Sequence, residues 1–134
     1  MNQFVIVLTL VLGTLLSPLA AEGQDKREQG TYQEMRAYLG ELFQQKNYAE
    51  AAAMLERVLD RFPDNVRANT FNLAAARLFM EQHDKAIDAL EDGLRRGIFY
   101  SRWDFEAAAW APLKQHPRFE AFVKANLNRI AEAE

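Results

Sequence analysis

After residue 30 the apolar residues return every three or four positions, the spacing of one helical face, and no stretch alternates as a half-buried strand would. The clearest stretch is Tyr48–Phe62, where Tyr48, Ala51, Ala52, Leu55, Val58, Leu59 and Phe62 share a face. Pro63 stops it, because proline cannot continue a helix and disfavours helical geometry in the residue before it. Upstream, Met35, Tyr38, Leu39, Leu42 and Phe43 predict a helix starting near Thr31, with Glu34 completing a capping box. Gln44–Asn47 is so short a link that the two helices are expected to run antiparallel. Downstream, Val66–Met80 predicts a third helix and Lys85–Arg96 a fourth, with Gly97 as its C-cap. Glu91/Arg95 and Asp92/Arg96 predict i,i+4 ion pairs on the exposed side of that helix. Asp104–Trp110 predicts a short helix ending before Pro112, and Pro117 opens a final helix to about Ala133. The expected fold class is all-α.

The first residues follow another pattern. Phe4–Ala21 carries no charge, and Ser17-Pro18-Leu19-Ala20-Ala21 supplies a helix breaker followed by small residues. Residues 1–21 are therefore expected to be a signal peptide, the alternative being an uncleaved membrane anchor. Either one implies export, with the bacterial periplasm as the expected compartment, or the inner membrane if the anchor is kept. Residues 22–30 are polar and aperiodic and are expected to form a linker, leaving 31–134 as the helical domain.

The helical pattern repeats. Ala51 in NYAEAA and Ala86 in HDKAID occupy equivalent places, 35 residues apart. Met35, Tyr38, Leu39, Leu42, Ala51, Leu55, Val58 and Pro63, followed by Leu73, Ala74, Ala86, Leu90 and Gly93, match a known consensus in one register. The chain thereby resembles the tetratricopeptide repeat family. Trp110–Phe119 is similar to the ending that closes many bacterial arrays of this kind. The resemblance implies antiparallel helix pairs in a right-handed superhelical array. Two full repeats, at about 32–65 and 67–97, would be followed by a capping segment at 98–134.

Composition narrows the chemistry. With 16 basic and 19 acidic residues the net charge is −3, and no basic block suggests nucleic acid. There is no cysteine for disulfides or thiolate metal sites. Ser101 is the only serine after the N-terminal segment, His83 and His116 fall in separate turns, and the glycines form no phosphate-binding cluster. No enzyme, cofactor or metal site is expected.

Binding is the function the resemblance implies, since the first helix of each family unit lines a concave surface. The matching candidate partner-binding residues are Gln33, Arg36 and Phe43 in the first unit and Phe71, Asn72 and Phe79 in the second. Arg36 and Asn72 fall where some members hold a peptide carboxylate. Gly40 replaces an asparagine of that clamp, and its third-unit lysine and arginine are absent. A non-catalytic adaptor or scaffold for a protein or peptide partner is the expected function. The alternative is a structural subunit that forms homo-oligomers through its aromatic tail, Phe99, Tyr100, Trp103, Phe105 and Trp110.

Overall fold

The structure, a computed structural model, describes residues 26–134. The signal segment and the first residues of the predicted linker lie outside these. The chain divides into two compact units, Met1–Leu39 and Gly40–Glu134. Helices are the only regular elements among the described residues, as the period of the apolar positions predicts.

In the first unit, residues 26–28 are helical and Glu28 is buried. Helix α1, Tyr32–Gln44, begins here and runs on into the second unit. Its capping box forms as predicted: the Thr31 N–H donates to Glu34 Oε2 at 2.9 Å, and the Glu34 N–H donates to Thr31 Oγ1 at 3.2 Å. Two of the four orphan donors of the first turn are thereby satisfied. Met35, Tyr38 and Leu39 are buried, with the Arg27 guanidinium 5.0 Å above the Tyr38 ring.

The second unit carries helices α2, Tyr48–Val58, α3, Val66–Phe79, α4, His83–Arg95, and α5, Pro117–Ala133. Helix α3 packs against both α2 and α4, and α4 against α5. Ala51, Ala74, Ala76 and Ala86 are completely buried, so these helices meet across small side chains. Gly93 extends the same economy of bulk. A Cβ there would lie 3.0 Å from Thr70 Cγ2 and 3.3 Å from the Tyr100 hydroxyl.

Three helices, α1, α3 and α4, end within this unit with one backbone device. After α1, the Lys46 N–H donates to Phe43 O and the Asn47 N–H to Leu42 O. After α3, Glu81 donates to Leu78 O and Gln82 to Arg77 O, and after α4, Gly97 donates to Leu94 O and Ile98 to Gly93 O. Each is a Schellman motif, whose turning residue must adopt positive φ. The values are 56° at Lys46, 60° at Glu81 and 82° at Gly97. The first two stand 35 residues apart, so the sequence period reappears as a period of the backbone.

Helix α2 departs from its prediction by ending at Val58, short of Phe62. Phe62 has left helical geometry, with φ −120° and ψ 71°, as proline disfavours a helical residue before it, and a turn closes with the Arg61 N–H donating to Val58 O. The influence of Pro63 thus reaches back a full turn. Pro63–Asn65 is one turn of 3-10 helix leading directly into α3.

The tail departs further. In place of one short helix at Asp104–Trp110 there are two 3-10 segments, Arg102–Phe105 and Ala108–Leu113, the second with Pro112 inside it. Proline at 112 has no N–H to donate, so no regular helix can run on through it, and the segment is held by single turns on either side, Trp110 N–H to Ala107 O and Lys114 N–H to Ala111 O. Pro117 opens α5 as predicted, with the His116 side chain as N-cap.

Candidate functional site

The candidate residues separate into three environments. Gln33 and Arg36 are exposed on α1 in the first unit. Phe43 and Phe79 come together in the second unit, their rings edge to face with centroids 6.4 Å apart. Tyr48, from the first turn of α2, joins them at 5.6 Å from Phe43 and 5.0 Å from Phe79. The Schellman turn after α1 places Tyr48 beside Phe43, and Phe79 arrives as the last residue of α3. Phe79 is 45% exposed, so the trio presents a wet aromatic face supported by its own ring contacts. Tyr48 looks like a core position of α2 in the sequence. Its place at the first helical residue, next to a predicted turn, is the signal that could have marked it as accessible.

Phe71 and Asn72 lie elsewhere. Phe71 is half-buried and stacks with Trp110, Phe105 and Tyr100 at centroid distances of 4.8, 6.0 and 5.8 Å. Its ring is engaged by the tail, and Asn72 beside it is half-buried. Phe105 sits at the middle of this cluster, edge-on to Tyr100, Trp110, Phe119 and Phe122. Tyr100, Phe105 and Trp110 are buried, whereas Trp103 is 61% exposed beneath the Arg102 guanidinium. Most of the tail aromatics therefore fill the end of the helix stack.

Polar contacts unseen in the sequence hold the tail in place. Asn126 of α5 is 2% exposed and grips the backbone of Tyr100 from both sides. Its Oδ1 accepts from the Tyr100 N–H at 2.9 Å, and its Nδ2 donates to the Tyr100 carbonyl at 2.6 Å. Burial pushes the Tyr100 phenol above its ordinary pKa, and nearby Asp104 adds to the rise against the opposing effects of Arg67 and Thr70. Arg67 of α3 donates to the Phe99 carbonyl at 3.0 Å and to Asp104 at 2.7 Å, tying the connector to the repeat.

Arg118, in the first turn of α5, reaches three carboxylates of α4: Asp88 at 2.6 Å, Glu91 at 2.8 Å and Asp84 at 3.5 Å. The bonds to Asp88 and then Glu91 hold its pKa above the usual arginine value. Glu91 is therefore turned toward α5 and away from the Arg95 partner that spacing suggested, while Arg95 reaches Asp92. The predicted Asp92–Arg96 pair does form, at 2.9 Å, and Arg96 also bonds Asp60. Across the α2–α4 side, Arg77 binds Glu56 and donates to the Lys85 carbonyl.

The residues weighed for chemistry have structural duties. His116 Nδ1 accepts from the Arg118 N–H at 3.3 Å while its Nε2 lies 3.2 Å from Asp84. His83 is the first residue of α4, and the Ser101 N–H donates to Asp104 at 2.7 Å. Among the described residues no group of three His, Asp or Glu is placed to hold a metal ion. None of their helices is long and apolar enough to cross a membrane.

Comparison with known proteins agrees with the register. A tetratricopeptide repeat model matches residues 42–97, the stretch from the end of α1 through the turn after α4. No curated protein and no solved structure matches the chain. The family is one of protein–protein interaction modules and is generally non-catalytic. Two equivalent Schellman turns 35 residues apart, buried alanines at the repeat positions and the family match together identify residues 42–97 as tetratricopeptide repeat sequence.

Proposed function

We propose that the chain is a non-catalytic adaptor of the bacterial envelope, exported through its N-terminal segment, that holds a peptide or protein partner. The observation that carries this is the aromatic trio of Phe43, Tyr48 and Phe79 inside the matched repeat, with Phe79 45% exposed and the other two rings partly so. Large rings in water cost solvation unless a partner covers them, and rigid aromatics lose little entropy on doing so. Gln33 and Arg36 remain candidates on the family resemblance alone. Phe71 and Asn72 are weaker ones, because the Phe71 ring already packs on the tail.

The test is peptide-array binding by the full chain and its Phe79→Ser variant. The parent is expected to select peptides with apolar side chains, and the variant to lose them with an unchanged melting temperature. Retained binding by Phe79→Ser would remove the trio from the site. Recovery of the native chain from the cytoplasmic fraction of cells would overturn the export.

A further inference from the structure

With Tyr100, Phe105 and Trp110 buried, the apolar surface the tail leaves open is Trp103 and, apart from it, the outer side of α5. Phe119, Val123 and Leu127 floor an open groove there, bordered by Lys114, Glu120 and Lys124. Leu127 is 44% exposed. The two sides of this helix differ in how their charges are satisfied. On the inner side Arg118 is saturated by three carboxylates of α4. On the outer side Lys114, Glu120 and Lys124 have no ion pair among the described residues.

We infer that this face binds a second copy of the chain, with the two α5 helices lying antiparallel across a two-fold axis that passes the outer face at the level of residue 122. A two-fold interface must be complementary to itself, and the order of charges along α5 selects the arrangement. In a parallel pair each residue meets its own copy, so Glu120 would face glutamate and Lys124 lysine. In an antiparallel pair centred on position 122, Glu120 faces Lys124 of the second copy, and symmetry makes that pair twice. At the helical rise of 1.5 Å per residue, Leu127 lies about 7.5 Å past the axis. That brings it over the Lys114 and Phe119 end of the opposite groove, where the lysine stem covers its apolar flank. The Phe43–Tyr48–Phe79 trio takes no part, so the inference stands apart from the adaptor proposal.

Sedimentation velocity of the full chain over a concentration series tests it. The parent is expected to dimerise reversibly, and Leu127→Asp to weaken association by about tenfold or more, as a charge buried in an apolar socket should. Glu120→Lys and Lys124→Glu are each expected to be monomeric at concentrations where the parent pairs. An equimolar mixture of those two variants should dimerise again, because each then meets its opposite charge twice. A parent that stays monomeric, a dimer indifferent to Leu127→Asp, or a mixture that fails to recombine would each overturn the inference. The recombination arm also separates this interface from any association through residues 1–21, which neither substitution touches.

Discussion

The repeat and the tail bury comparable side chains by different means. From α2 to α4 the chain uses one scheme twice: small residues where helices meet, and the same turn after α1 and after α3. Each helix there packs mainly on the next one in the chain. Beyond Gly97 nothing is used twice. Two 3-10 segments, an aromatic cluster around Phe105 and two polar anchors, Asn126 and Arg118, each make a contact of their own kind. A periodic region tolerates local variation because its geometry is set by a pattern. The tail depends on particular side chains, and losing one leaves no equivalent to replace it.

That contrast orders the expected effects of mutation. Phe105→Ala should be the most damaging, costing about 3–5 kcal/mol, since it empties the centre of the aromatic cluster. Chemical denaturation measures this, and a loss below about 1 kcal/mol would show the tail to be as tolerant as the repeat. Ala51→Leu or Ala86→Leu should cost about 1–3 kcal/mol by overpacking completely buried sites. If the tail is an independent addition, these two variants should cost about the same as each other, and unequal losses would mean that the two repeat positions are not equivalent. The smallest effect has the opposite sign. Lys46→Gly should stabilise the chain by about 0.5–1 kcal/mol, because φ of 56° burdens a residue with a Cβ. Glu81→Gly should match it, and a thermal melt in which either variant is destabilised would break the equivalence of the two turns.

What the sequence reveals follows the same division. Helix period and the capping box at Thr31 and Glu34 were legible because each depends on residues within a few positions of one another, and the repeat register because the same local pattern recurs 35 residues on. The end of α2 was misplaced by one turn, since its apolar pattern continues through Leu59 and Phe62 while the backbone already yields to Pro63. The Glu91–Arg95 pair failed because Arg118, distant in sequence, offers Glu91 a partner on α5. Asn126 looked like one polar residue among several on α5. Nothing local distinguishes it, because its partner is a peptide group 26 residues away. Of the candidate residues, the family resemblance named Phe43 and Phe79, which the structure brings into contact, but not Tyr48 between them, and it named Phe71 without its contacts to the tail.

The Asn126 clamp has a consequence for how this chain can drift. It recognises the amide and the carbonyl of residue 100, groups that every residue except proline supplies. The phenol of Tyr100 can therefore be exchanged for another large apolar group while α5 keeps its anchor, but proline at 100 would remove a donor the clamp needs. Position 126 has no such latitude. Aspartate there would lack the donor and leucine would lack both groups, leaving a buried peptide with neither partner. Of two residues in direct contact, one is held by its side chain's identity and the other only by the backbone they all share.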